Sequence, residues 1–364
     1  MIENLMLLAI ELAKKSFAKT LPNPRVGAVI FDDQGKVLGA GYHREYGKNH
    51  AEVEAINDAK RNGVNIKGAN ICVTLEPCSH TGKTPPCTDA IFNAGIKKVF
   101  IGARDDCKTV SGYGLEVLKQ KGIEVVLGVL EKECRALNPG FHKFNQTGLP
   151  FVQLKAAMSL NGKMTNRSGA NSWFTGEESR KKVHLMRAFS DLIITGVGTI
   201  KADNPSLNSR LGDVIIPNKI AILDPSLDLL DNYIKKDLKV LTSNDSVVVI
   251  TKDLKQTKGF ENDKLSFMDA EIDDKGMFVL PNLIKKLGLE YGVREIFIEA
   301  GPSLVNSFLK LDKDHLDKIT LFIAPVWFNK DEHSLFTDTE SSFPDIEITK
   351  TEQLGNTLCV EGRL

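Results

Sequence analysis

His50-Ala51-Glu52-Val53 and, further along, Thr74-Leu75-Glu76-Pro77-Cys78-Ser79-His80-Thr81-Gly82-Lys83-Thr84-Pro85-Pro86-Cys87 are the stretches on which the reading of this chain turns. His50, Cys78 and Cys87 supply one imidazole and two thiols, a three-ligand zinc set that leaves one tetrahedral position open. A metal held this way lowers the pKa of water from about 15.7 to about 7. His50 and Glu52 open one expected helix and Cys87 another, after two prolines suited to a first turn; the partial positive charge at helix starts favours the thiolates a metal needs. Residues two apart do not share a helix face, so Glu52 need not ligate and can act beside the open position as a proton shuttle. Hydrolysis of an amino group from a nitrogen heterocycle requires such a group, because the amine leaves only once protonated. A structural zinc site fills all four positions and has no use for that carboxylate, which sets this pattern apart from a non-catalytic zinc module. Zinc nucleic-acid deaminases carry two residues between their cysteines, whereas eight intervene here. The insertion brings His80 and Lys83 beside the metal, as a small phosphorylated substrate would require.

Outward from the motif, 364 residues suggest two domains. In residues 1–145 the pattern predicts strands at Val26–Phe31, Lys36–Gly41, Asn70–Leu75, Lys97–Ile101 and Glu124–Leu127. Helices are expected from the N-terminus through Ala18, from His50 to before Gly63, over Pro86–Ala94 and over Leu115–Lys121. This is an α/β/α sandwich on a mixed sheet, with a hairpin turn at Asp32–Gly35. The breaker-rich run from Asn138 to Pro150 reads as the boundary. Residues 146–364 form a second α/β unit with strands at Phe151–Ala156, Asp191–Thr195, Lys219–Leu223, Ser246–Thr251, Glu295–Glu299 and Lys318–Ala324. A helix from Gly176 is expected to carry a Thr175/Glu178 capping box.

Forty-seven basic side chains balance 47 acidic ones, so no net positive field exists to hold nucleic acid. The chain shows no signal-peptide pattern and no apolar run of membrane-spanning length, so a cytosolic protein without membrane contact is expected. Of six cysteines, only Cys78 and Cys87 sit in a ligand context; Cys72, inside an apolar run, reads as a buried hydrophobe.

The motif stretches above, with Pro22-Asn23-Pro24, Val26-Gly27, Leu154-Lys155-Ala156-Ala157-Met158-Ser159-Leu160, Gly196-Val197-Gly198-Thr199, Ala202-Asp203-Asn204-Pro205-Ser206-Leu207 and Glu299-Ala300-Gly301, resemble the bifunctional deaminase-reductase family of riboflavin biosynthesis. The likeness covers nearly the whole chain and thins after about residue 325. It implies a cytidine-deaminase-like N-terminal domain and a dihydrofolate-reductase-like C-terminal domain. The first would use Zn²⁺ to hydrolyse the 2-amino group of 2,5-diamino-6-(5-phosphoribosylamino)pyrimidin-4-one. The second would use NADPH to reduce the ribosyl side chain to ribityl. By position, His50, Cys78 and Cys87 would bind zinc, Glu52 would be the acid/base, and Asn23, His43, His80 and Lys83 would hold the pyrimidine substrate. In the reductase, Lys155, Asn171, Arg187, Leu207, Arg210 and Glu299 would contact substrate. Ala157, Trp173, Thr199, Asp203, Gly301, Pro302 and Ser303 would contact NADPH, and a homo-oligomer is expected.

Independently of the resemblance, Arg187 and Arg210 can offer forked donors to a phosphate, and Gly301-Pro302-Ser303 before an apolar helix suits a cofactor phosphate. Gly196-Val197-Gly198 fits a tight strand-to-helix turn as well as it fits a cofactor loop, since no Gly-x-Gly-x-x-Gly follows. The chain departs from the family pattern at Asp105-Asp106-Cys107-Lys108, Asn161, Asn171 and the 324–329 segment. A nucleoside or tRNA deaminase with an unrelated appended domain is the rival reading, and the balanced charge and the insertion argue against it.

Overall fold

The computed structural model describes residues 1–107, 111–164, 175–232, 238–328, 334–335 and 345–364. They form two compact units, Met1–Thr147 and Gly148–Leu364.

In the first unit β1 (Gly27–Phe31), β2 (Val37–Tyr42), β3 (Asn70–Leu75), β4 (Lys98–Ala103) and β5 (Glu124–Leu127) make a sheet ordered β2-β1-β3-β4-β5. β1 runs antiparallel to β2 and β3, while β3, β4 and β5 are parallel. The helices are α1 (Ile2–Ala13), α2 (Ala51–Arg61), α3 (Cys87–Asn93), α4 (Tyr113–Gln120), α5 (Glu131–Arg135) and α6 (Pro139–Thr147). Successive strand residues point to opposite faces, and both faces are covered. Ala28, Ile30, Ile71 and Val73 join α2, α3 and α4 in one core; Val29, Phe31 and Cys72 join α1 and Cys134 in another. That is the expected sandwich. The seat of α2 depends on two glycines of β2: a Cβ on Gly39 or Gly41 would stand 2.4 Å from the Ala55 backbone. Ala51, Glu52, Ala55, Ile56 and Ala59 form the buried face of that helix, so its packing also fixes the depth of His50 and Glu52.

The second unit contains β6 (Phe151–Ser159), β7 (Leu192–Gly196), β8 (Ser209–Leu211), β9 (Val214–Ile216), β10 (Lys219–Leu223), β11 (Ser246–Thr251), β12 (Leu265–Asp269), β13 (Glu295–Glu299), β14 (Lys318–Ala324), β15 (Glu347–Leu354) and β16 (Thr357–Arg363). Its helices are α7 (Glu177–Phe189), α8 (Val197–Asp203), α9 (Asp228–Asn232), α10 (Lys239–Thr242), α11 (Leu280–Tyr291) and α12 (Pro302–Leu309). Nine strands form one sheet, β12-β11-β10-β7-β13-β6-β14-β16-β15, and β8-β9 is a separate hairpin. All are parallel from β12 to β14, with β16 and β15 added antiparallel at the edge. Ile194, Ile296 and Ile298 feed one core and Ile193 and Phe297 the other.

Three local expectations need correction. Most of the 138–150 run read as the boundary is the helix α6, which ends where the first unit ends, at Thr147: Pro139 sits at its start, where a missing N–H costs nothing, and Asn138 is pinned by exchanging hydrogen bonds with the Arg25 backbone. The opening α-helix ends at Ala13, and the 3₁₀ turns that follow over Lys14–Thr20 are broken at Phe17, whose φ of 50° is not helical. The Thr175/Glu178 capping box does not form. Gly176 is the N-cap of α7, with no side-chain cap bond, and its N–H faces Thr357 Oγ1 at 3.4 Å. The helix starts one residue too late for Thr175 to reach.

Candidate functional site

In the first unit, His50 is the extended N-cap residue of α2, Cys87 is the first residue of α3, and Cys78 lies just past the end of β3. His50 Nδ1 stands 3.5 Å from Cys78 Sγ and 3.3 Å from Cys87 Sγ, and all three donor atoms lie within 4.8 Å of one another. Zn–N of about 2.0 Å and Zn–S of about 2.3 Å at a tetrahedral angle give a nitrogen–sulfur edge of about 3.5 Å. The donor set therefore fits zinc, with Nδ1 as the imidazole ligand. The Cys87 thiol bonded to Cys78 holds the latter down to about 4, and this same bond pushes Cys87 up. The protein thus already favours one thiolate, and a dication would favour both.

Glu52 is 3 % exposed and lies outside the ligand trio. Burial, reinforced by the charge at Cys78, pushes its carboxyl up to about 7. His50, Cys78 and Glu52 border a pocket of about 390 Å³ that Asn23, His43, His80 and Lys83 also line, while Cys87 is buried behind them. His43 is buried, and burial holds it below the usual histidine range. Its Nδ1 lies 2.9 Å from the Asn49 carbonyl and must donate there, so Nε2 accepts from Asn23 Nδ2 at 3.3 Å. Asn23 and His43 are thereby fixed in one orientation, whereas His80 and Lys83 are exposed on the insertion.

Sequence reasoning gave no role to Glu76. Its buried carboxylate accepts the backbone N–H groups of Asp105, Gly112, Gly114 and Leu115. A Cβ at Gly114 would stand 2.1 Å from the Pro77 carbonyl, so only glycine permits this approach. Glu76 thus ties Asp105 and the start of α4 to the strand that delivers Cys78. Asp105 and Cys107 line the pocket wall. Burial, and then Glu76 and Asp106, push Asp105 up to about 6, while Asp106 is held by Arg135, His142 and Gln146. The one available signal for Glu76 was a carboxylate directly after the largely apolar strand β3.

In the second unit, Lys155 and Glu299 are register partners on β6 and β13, 3.6 Å apart between Nζ and Oε1. Arg187, on α7, forks onto both Glu299 oxygens at 2.7 and 2.9 Å, and its remaining Nη1 donates to the Asn208 carbonyl. Burial works against the Glu299 charge, but Arg187 and Lys155 hold its pKa down at about 2. The expectation that the Arg187 fork is open to a phosphate therefore needs correction, because the carboxylate 112 residues away in sequence already fills it. Arg210 is exposed and makes no ion pair among the described residues. Its N–H donates to His184 Nδ1 at 3.2 Å, and burial followed by the two arginines lowers His184 to about 4. Leu207 has a left-handed φ of 51° and a side chain buried in the core, so only its backbone can face a ligand.

Gly196 ends β7 and caps α8, the tight strand-to-helix turn that the sequence left open. Thr199 Oγ1 accepts the Gly301 N–H at 3.1 Å, joining this turn to the start of α12, whose first residues are Pro302 and Ser303. Gly196, Gly198 and Ser303 border an apolar cavity of about 210 Å³. Ala157 lies on β6, and burial pushes Asp203, the last residue of α8, above the usual carboxylate range. Asn161 closes its turn onto Phe328 in two hydrogen bonds. Asn171 and Trp173 lie outside the described residues.

Residues 1–103 match the cytidine and deoxycytidylate deaminase zinc-binding region, and residues 150–360 match the RibD C-terminal domain. The riboflavin biosynthesis protein RibD of Aquifex aeolicus is 40% identical over 89% of this chain and 86% of its own length. That of Escherichia coli is 33% identical over 98% of both. The chain belongs to the RibD family. A solved diaminohydroxyphosphoribosylaminopyrimidine deaminase/5-amino-6-(5-phosphoribosylamino)uracil reductase from Thermotoga maritima superposes with a TM-score of 0.84, at 35% identity, over 100% of this chain and 98% of that one. The protein is accordingly a bifunctional deaminase and reductase of riboflavin biosynthesis, with a zinc-binding deaminase domain and an NADPH-dependent reductase domain. The match over residues 150–360 removes the reading of an unrelated appended domain.

Proposed function

We propose that the first unit hydrolyses the 2-amino group of 2,5-diamino-6-(5-phosphoribosylamino)pyrimidin-4-one and that the second reduces the ribosyl side chain of the product to ribityl. The observation that carries the deaminase assignment is the His50–Cys78–Cys87 trio, two members of which share a pocket with a buried Glu52 outside the ligand set. Zinc, when bound, acidifies the water that serves as nucleophile. Glu52 takes one proton from the attacking water and passes it to the ring nitrogen, then takes the second from the hydroxyl thereby added to the ring carbon and delivers it to the amine, which leaves as ammonia while the carbonyl forms, so one carboxylate serves both halves of the exchange. Its burial excludes competing solvent, and the charge of a bound dication counteracts the upward shift seen without it. Asn23, oriented by His43, meets the polar edge of the pyrimidine, and His80 and Lys83 meet the phosphorylated arm.

In the reductase, NADPH supplies the reducing equivalent from the region of Gly196, Ala157, Thr199, Asp203 and the Gly301-Pro302-Ser303 helix start, with Trp173 assigned by position alone. Glu299 stays ionised at neutral pH and pairs with Lys155, positioning its Nζ beside the reacting carbon, where it can donate a proton to the opened sugar. Arg210, with Leu207 and Asn171 by position, meets the phosphate. The absence of disulfides at the buried Cys72, Cys134 and Cys359 supports a cytoplasmic location. No helix among the described residues is long and apolar enough to cross a membrane. Exposed Ile346 and Ile348, at the outer sheet edge, support a homo-oligomer.

Incubation of the zinc-loaded protein with the diaminopyrimidine phosphate, following ammonia and NADPH separately, tests the assignment. Ammonia release without NADPH, followed by cofactor oxidation once it is added, is expected. Cofactor oxidation with no ammonia would refute it.

A further inference from the structure

We propose that Tyr46 is a positioning residue of the deaminase, holding the Lys83 ammonium at the pocket mouth where the phosphate of the substrate arrives; this rests on the assignment of Lys83 to the phosphorylated arm. Lys83 sits at the tip of a turn closed by the Gly82 N–H and the Thr84 carbonyl, 3.2 Å apart. Its Nζ lies 4.1 Å from the centre of the Tyr46 ring, within cation–π range. The stem runs across the next residue, since a Cβ at Gly47 would be 3.6 Å from Lys83 Cδ. The Tyr46 backbone is anchored, its N–H donating to the Lys19 carbonyl at 3.1 Å. Both side chains border the same pocket as Glu52.

Lys83 makes no ion pair with any described residue, so its charge remains available to an anion. A lysine has a long stem with many rotamers, and an anion must otherwise freeze it on binding. A ring beneath the ammonium removes part of that cost in advance, and pre-organisation of this kind strengthens binding without a new contact to the ligand. The Tyr46 hydroxyl makes no hydrogen bond to any described residue, so the ring face and not the hydroxyl carries the effect.

The test is deaminase kinetics on the diaminopyrimidine phosphate and on its dephosphorylated riboside, using the full-length zinc enzyme. Tyr46→Leu should raise KM for the phosphate about two- to fivefold, with kcat and zinc content unchanged. Tyr46→Phe should match the parent. The riboside should not register Tyr46→Leu, and neither should the phosphate once Lys83→Met is present. A Lys83→Met variant with unchanged KM for the phosphate would refute the assignment of Lys83 and with it the proposal. A raised KM in Lys83→Met with a silent Tyr46→Leu would refute the role of Tyr46 alone. An equal Tyr46→Leu effect on the riboside, or one persisting beside Lys83→Met, would show a merely structural role.

Discussion

The two units hold their reactive groups in opposite ways. In the deaminase, His50, Cys78 and Cys87 face one another as an open donor set, with little protein partnership beyond themselves. In the reductase, Arg187 and Lys155 are already paired with one carboxylate, Glu299. A metal site is completed by its ion, and removing one ligand leaves the others without purpose. The reductase cluster is complete before any ligand arrives, so removing one member leaves a buried charge exposed to its own desolvation cost.

The largest expected effect is on the open site. Cys87→Ser should abolish zinc binding and ammonia release while leaving NADPH oxidation with supplied deaminated substrate intact, measured by metal analysis and the two assays side by side. Loss of both activities would mean that the units do not fail independently. Next comes Arg187→Ala, which strands the Glu299 carboxylate at side-chain exposures of 11% and 16% for the pair. A stability loss of about 3–5 kcal/mol is expected for a broken buried pair, read by denaturant unfolding. Glu299 has a folded pKa depressed to about 2 from 4.5. Its stabilisation is therefore complete above about pH 4.5 and vanishes as pH falls toward 2, and the Arg187→Ala penalty should shrink over that window. A penalty independent of pH would locate the effect in packing instead.

Arg210→Ala sharpens the contrast from the ligand side. Losing a charge-assisted contact worth about 1.5–3 kcal/mol should raise the reductase KM roughly ten- to a hundredfold and leave deamination alone. An unchanged reductase KM would reject Arg210 as the phosphate contact. Smallest of all, Thr175→Ala should change stability by less than about 0.5 kcal/mol, because no cap bond is lost, where a working cap would cost about 1 kcal/mol.

The same contrast explains what could be read in advance. Imidazole and thiolate are scarce ligand types, so His50, Cys78, Cys87 and the adjacent Glu52 stand out by identity and spacing. The short apolar runs of β1 and β3, each buried along its whole length, likewise made the first sheet legible. Glu76 and Tyr46 belong to common residue types whose value comes from partners 29–39 and 37 residues away. Arg187 was read as free because nothing near it in sequence indicates that it faces Glu299. β15 was missed because, as an edge strand, it is mostly exposed and lacks the apolar alternation of a buried one.

The central claim is that Glu52 moves protons without holding the metal. Glu52→Gln, assayed for bound zinc and ammonia release in the same preparation, tests it most directly. Full zinc occupancy with ammonia release reduced by about a hundredfold or more is predicted; deamination at the parent rate, or loss of zinc together with activity, would contradict it.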